Sequence, residues 1–131
     1  MRALIVEDEF LSRKVLRSFL MTLFDVDIVV NGREAVEAFK LSHVENRPYE
    51  LILMDIMMPE VDGIEALQKI RTLEEENNYT PKAKVIMTTA LDDPQTVIKT
   101  FYDGGASAYL VKPVAKDKLY NELEKLGLLS K

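Results

Sequence analysis

The chain has no cysteine and no tryptophan among its 131 residues, and its one histidine is His43. Without cysteine it forms neither disulfides nor thiolate metal sites, and a lone histidine has no second imidazole with which to share a metal. His43 lies in a polar stretch and is expected at the surface. No apolar run approaches the roughly 18 to 20 residues that cross a bilayer, and the N-terminus lacks the basic-then-apolar layout of a signal peptide, so a cytoplasmic location is expected. Positive charge is also scarce. Against 22 acids stand 17 Lys and Arg, and the resulting charge of −5 comes with no basic cluster, which argues against direct binding of nucleic acid. A role connected with DNA would run through a partner.

What is present is the make-up of a globular protein, with 47% hydrophobic and 30% charged residues, in a chain about the size of one ordinary domain. A single domain spanning 1–131 is expected. Ala3 to Val6 is a short apolar run ending in acids, the pattern of a strand buried on both faces. From Phe10 to Phe24 the period changes: Leu11, Val15, Leu16, Phe19, Leu20 and Leu23 recur at three- and four-residue spacing, predicting an amphipathic helix.

The alternation repeats four more times. Strands are predicted at Val26 to Val30, Leu51 to Met54, Val85 to Thr88 and Ala108 to Val111. Helices are predicted at Gly32 to about Glu45, Gly63 to Glu76, Pro94 to Asp103 and Lys116 to about Leu126, with Gly127 as a stop. Five strands alternating with five helices require crossover connections. The fold class that follows is α/β, a doubly wound five-stranded parallel sheet.

In an open parallel sheet, ligands bind beyond the carboxyl ends of the strands. Strand one runs into Glu7-Asp8, strand three into Asp55, strand four into Thr88-Thr89 and strand five into Lys112-Pro113. Converging carboxylates repel one another, and a hard divalent cation with oxygen ligands relieves that repulsion, with Mg²⁺ the natural candidate and Mn²⁺ an alternative. An Asp beside such a cation can attack phosphorus. A strand-end ammonium, Lys112, can pair first with Asp55 and then with a phosphoryl group. Taken singly these residues have ordinary explanations: Glu7-Asp8 as the start of a helix, Thr89 as a β-former, Lys112 as a solvated lysine and Met57-Met58-Pro59 as a turn.

Taken together they resemble the receiver domain of bacterial two-component response regulators, of the stand-alone, CheY-like type. The elements that carry the resemblance are Glu7-Asp8, Met54 to Pro59 with Asp62-Gly63, Thr89-Ala90, Gly105-Ala106, and Tyr109 to Pro113. The likeness covers essentially the whole chain. It implies a (βα)5, flavodoxin-like fold with strand order 2-1-3-4-5, the order known for receivers of this type, which puts Asp8 and Asp55 on neighbouring strands.

By the same resemblance Asp55 is the phosphoacceptor, Asp8 and Asp55 ligate Mg²⁺ directly, Glu7 does so through water, and the Met57 carbonyl completes the set. Thr89 and Lys112 hold the phosphoryl group, Tyr109 is the aromatic switch, and the Lys112-Pro113 bond is cis. The implied partners are a sensor histidine kinase or phosphotransfer protein, and a downstream target read by the face of the fourth helix, fifth strand and fifth helix, including Tyr102, Tyr109 and parts of Lys116 to Glu122. Activation-dependent dimerisation stays open. The chain departs from the common pattern at Met57 and Leu91, apolar where relatives often carry polar groups; both are expected to line the route of attacking water and to slow hydrolysis of the phosphoaspartate.

Two other classes of function compete. A phosphohydrolase similar to the haloacid dehalogenase superfamily also uses an Asp nucleophile with Mg²⁺, Thr and Lys, but it needs an acid two positions after the nucleophile, where Met57 stands. A receiver-like module that binds partners without phosphorylation is expected to lack part of the set, and here the set is complete. A protein that assists only its own phosphorylation and dephosphorylation, rather than a turnover enzyme, is the expectation. An origin as a piece of a longer regulator is equally compatible with the sequence.

Overall fold

The fold follows from short continuous apolar runs alternating along the chain with segments whose apolar residues recur about every 3.6 residues. In the computed structural model, residues 1–58, 61–90 and 105–129 are described. They form β1 (Arg2–Val6), α1 (Phe10–Leu20), β2 (Asp25–Val29), α2 (Gly32–Val44), β3 (Leu51–Asp55), α3 (Gly63–Glu76), β4 (Lys84–Thr89), β5 (Ala108–Val111) and α4 (Lys116–Lys125). The helix predicted at Pro94 to Asp103 lies outside the described residues, so α4 is the fifth of the predicted helices.

The five strands are all parallel, in the order β2-β1-β3-β4-β5. Because side chains alternate across a strand, the sheet feeds two separate cores. Leu4, Val6, Ile52, Met54, Val85 and Met87 pack under α2 and α3 with Phe39, Leu67 and Ile70. Ala3, Ile5, Leu51, Leu53, Ile86 and Leu110 pack on the opposite face with Leu16, Leu20, Leu119 and Leu123 of α1 and α4. β3 is buried throughout, and β1 is buried from Ala3 to Val6, as covering on both faces requires.

Some boundaries differ from the sequence reading. The first helix stops at Leu20 rather than continuing to Phe24, because Leu23 and Phe24 both donate their N–H to the Leu20 carbonyl and turn the chain back. Phe24 is then buried beside Val26. Leu11 and Val15 belong to the helical stripe but are exposed. β2 begins one residue earlier than predicted, at Asp25, and β4 extends over Lys84 and Thr89.

Helices α2 and α3 end on asparagines in the left-handed region, Asn46 (φ 57°) and Asn78 (φ 55°), and α4 on Gly127 (φ 78°). In each case the next amide bonds back into the last turn: Arg47 to Ser42, Tyr79 to Glu74 and Leu128 to Leu123.

His43 is not a free surface side chain. It is half-buried and stacks on Tyr79 with ring centroids 3.6 Å apart and planes 2° apart, while its edge meets Phe39 at 4.8 Å. Burial lowers its pKa from the ordinary value, with the charge of Glu74 opposing that effect.

At the outer edge, β2 carries Asp25 and Asp27. Asp27 takes an ion pair from Arg2 and a hydrogen bond from the Tyr49 hydroxyl, and Asp25 pairs with Arg47. Burial, together with that bond to Asp27, raises the Tyr49 pKa. No helix among the described residues is long and apolar enough to cross a membrane.

Candidate functional site at the carboxyl ends of the strands

Parallel strands deliver their last residues to one edge, and β1 and β3 are neighbours, with Val6 opposite Met54. Glu7, Asp8 and Asp55, the next residues in line, therefore meet. One carboxylate oxygen from each lies within 4.8 Å of the others. Glu7 is fully buried, Asp55 is 4% exposed and Asp8 is exposed, so the cluster has a closed floor and an open mouth.

Local chain chemistry fixes these groups. Glu7 Oε2 accepts the Glu9 N–H at 3.1 Å, and the Glu9 side chain caps α1 by accepting the Ser12 N–H at 2.5 Å. Arg13, one turn into α1, donates from Nη1 to the carbonyls of Glu7 and Asp8 at 3.2 and 2.9 Å. Asp55 Oδ1 accepts the Met57 N–H at 3.2 Å. The Met57 side chain is 63% exposed.

Lys112 reaches the pocket from the end of β5. Its amide donates to the Thr89 carbonyl at 2.7 Å, and the Lys112-Pro113 bond is cis, as is Thr80-Pro81, which the sequence reading did not anticipate. Its ammonium lies 2.5 Å from Glu7 Oε1 and 3.1 Å from Asp55 Oδ2. Burial works against the lysine charge, but the bond to Glu7 and the nearby Asp55 outweigh it and the pKa is raised. Burial raises the Glu7 pKa, with Lys112 opposing. Three carboxylates and one ammonium leave this corner short of positive charge.

Thr89 is fully buried at the end of β4, paired in register with Val111, while Thr88 pairs with Asp55. Tyr109 is half-buried on β5, packed against the core under α2 and α3. Among the predicted set the structure thus brings Glu7, Asp8, Asp55 and Lys112 into contact range and puts Thr89 on the adjoining strand end. Leu91, Pro59 and Tyr102 lie outside the described residues.

The donor set suits a small, hard cation: hydroxyl-free oxygen ligands, two of them on short aspartates and one on a buried glutamate, with solvent on one side to supply waters. A larger groove of about 580 Å³ between α2 and α3 holds none of these residues. Its Arg33 and Lys69 are paired with Glu37 and Glu65.

Two contributors escaped the sequence reading. Arg13 bonds backbone carbonyls from five and six residues away, a contact one helical turn creates but no motif marks. Gly32 holds the segment after Asp55 from across the fold, donating its N–H to the Val61 carbonyl at 3.0 Å. Asn31-Gly32 reads in sequence as a turn and nothing more.

Comparison with known proteins gives a consistent picture. A family model described as the response regulator receiver domain matches residues 3–124. The chemotaxis protein CheY of Thermotoga maritima is 33% identical over 96% of this chain and 97% of its own length. A chain of the CheX–CheY–BeF3–Mg complex from Borrelia burgdorferi superposes with a TM-score of 0.84 at 28% identity, covering 97% of this chain and 89% of that one. A chain of the complex between the phosphotransfer protein Ypd1 and the receiver domain of Ssk1, from Saccharomyces cerevisiae, gives 0.84 at 30% identity, covering 97% and 88%. The chain spans 6% to 51% of the length of the first curated relatives it matches, which include hybrid histidine kinases and a transcriptional regulator.

Proposed function

The chain belongs to the response regulator receiver domain family, a component of phosphorelay signalling, and from that premise we propose that Asp55 is its phosphoacceptor. The observation that carries this is the seat of Lys112, 3.1 Å from Asp55 within a cluster of three carboxylates. Of the two carboxylates that contact the lysine, Asp55 keeps 4% exposure while Glu7 is fully buried. Its oxygen attacks the phosphorus of a donor phosphohistidine, the N–P bond breaks, and the electron pair returns to the imidazole. Asp8, Asp55, the Met57 carbonyl and, through water, Glu7 would hold Mg²⁺, which when bound neutralises charge on the transferring oxygens.

The protein's own groups do the rest. Lys112 exchanges a carboxylate partner for a phosphoryl one, and Thr89 offers a hydroxyl to the same group. Phosphoryl contacts at these two residues bias Tyr109, and the surface of β5 and α4 changes with it. We read the domain as a switch that assists only its own phosphorylation and dephosphorylation, since Met57 stands where a phosphohydrolase needs a proton-carrying acid.

A donor histidine must come within bonding distance of Asp55, so its protein covers the rim of the pocket. Phe10, Leu11 and Val15 are 65%, 64% and 46% exposed on α1, and Leu11 and Val15 line a cleft of about 180 Å³ with Glu7, Lys112 and Pro113. This apolar rim suits a histidine kinase or phosphotransfer protein, and the receiver of Ssk1, a structural neighbour, is seen with the phosphotransfer protein Ypd1.

The test is incubation with Mg²⁺ and a small acyl phosphate, followed by intact mass. Wild type is expected to gain one phosphoryl group and Asp55→Asn none; uptake by the variant, or none by wild type, would sink the assignment.

A further inference from the structure

The segment joining β3 to α3 carries Met57, and two glycines fasten it. At its far end Gly63 donates its N–H to the Ile56 carbonyl at 3.0 Å, and a Cβ there would lie 2.1 Å from the Asp55 carbonyl oxygen. Gly32 belongs to a different element, the first turn of α2. A Cβ on Gly32 would fall 2.1 Å from the Val61 carbonyl oxygen and 2.8 Å from its carbon. Backbone atoms cannot swing aside as a flexible side chain does. The positive-φ glycines are Gly105 and Gly127, so what forbids a side chain at Gly32 is space, not backbone conformation.

We propose that Gly32 is a positioning residue for divalent-cation binding at the acid pocket, acting through the contact of its bare backbone with Val61. The start of α2 is rigidly placed, because Asn31 caps it by accepting the Glu34 N–H at 2.8 Å and Glu34 Oε1 accepts the Val30 N–H at 2.9 Å. Val61 is thus drawn against a fixed point. Met57, whose N–H is bonded to Asp55 Oδ1, precedes Val61 in the same short segment. Adding a methyl group at Gly32 displaces Val61, and the displacement is carried toward the Met57 carbonyl, the proposed cation ligand. Gly32 stands well before Asp55 in sequence and touches none of the three carboxylates.

This inference rests on the acid pocket being a cation site, and its test separates the two ideas. Mg²⁺ is titrated calorimetrically into unphosphorylated wild type, Gly32→Ala, and Leu119→Ala, the last a destabilised control in the other core. Gly32→Ala is expected to bind Mg²⁺ about tenfold or more weakly, as loss of a supporting contact around a metal ligand typically does, with Leu119→Ala close to wild type. In metal-free protein the Met57 amide, followed by NMR hydrogen exchange, is expected to exchange faster in Gly32→Ala than in Leu119→Ala. Should Gly32→Ala fail to fold, Val61→Gly, which loosens the other side of the contact, is expected to weaken Mg²⁺ binding in the same direction. No Mg²⁺ binding by wild type defeats the cation-site reading itself. Binding by wild type with equal affinity in the Gly32 or Val61 variant, or equal weakening in Leu119→Ala, overturns the positioning role.

Discussion

The Lys112 ammonium lies 2.5 Å from the fully buried Glu7 carboxylate, closer than the 3.1 Å that separates it from Asp55. Glu7 therefore depends on a neighbouring cation whether or not Asp55 is engaged. Breaking a fully buried pair costs about 3–5 kcal/mol, and because the Lys112 side chain keeps 20% exposure a loss of about 2 kcal/mol is expected for Lys112→Met without Mg²⁺. With saturating Mg²⁺ the loss should shrink, because the metal supplies the missing charge. Urea unfolding with and without the ion measures both values; an identical loss in the two conditions contradicts this account.

Glu74 is a buried acid outside the strand-end cluster. It is 1% exposed, accepts the Ala83 N–H at 2.7 Å and pairs with Arg71 at 2.7 Å, while Arg71 also donates to the carbonyls of Ala83 and Gly105. Glu74→Ala strands both donors and is expected to lower stability by about 3–5 kcal/mol, whereas Glu74→Gln, which keeps an acceptor, should lose clearly less. Chemical denaturation of the two variants gives the comparison.

The His43–Tyr79 stack sets a pH dependence. Burial holds the folded imidazole below its ordinary value of 6.5, so the unfolded chain takes up the proton first. The stacking contribution is fully present above that value and is lost as pH falls through it toward the lower folded pKa. The stability difference between wild type and His43→Gln should therefore narrow as pH drops below about 6.5. A difference that stays constant between neutral and mildly acidic pH rules this out.

Met57 follows the proposed phosphoacceptor with an exposed thioether that offers water no hydrogen-bond partner of use. Met57→Asn is expected to shorten the phosphoryl lifetime several-fold by orienting an attacking water. The decay of the phosphorylated mass after removal of the donor reports the rate, and an unchanged rate argues that the side chain does not reach the water's path.

Much of the fold was legible because each element carries its own period. Runs such as Leu51 to Met54 and the face of Ile64, Leu67 and Ile70 announce strand and helix without reference to anything distant. The strand order was not readable in this way, since which strands pair is a long-range matter, and it was taken from the resemblance. The convergence of Glu7, Asp8, Asp55 and Lys112 was legible only because parallel strands bring all their ends to one edge.

What stayed hidden has a common physical origin in contacts between residues far apart in sequence. Glu74 sits in a polar stretch that reads as solvated, and its burial is decided by Ala83 and Arg71. His43 looked exposed because its stacking partner Tyr79 belongs to the turn after another helix. Gly32 looked like half of a turn because nothing local reveals the Val61 carbonyl against it.

The finish of β2 also governs how copies of this molecule can meet. A strand from another chain laid along that margin would have to strip water from Asp25 and Asp27, whose side chains keep 77% and 51% of their exposure while paired to Arg47 and Arg2. Those two charges stand where a flat apolar margin would invite a further strand, and they disfavour growth of the sheet on that side.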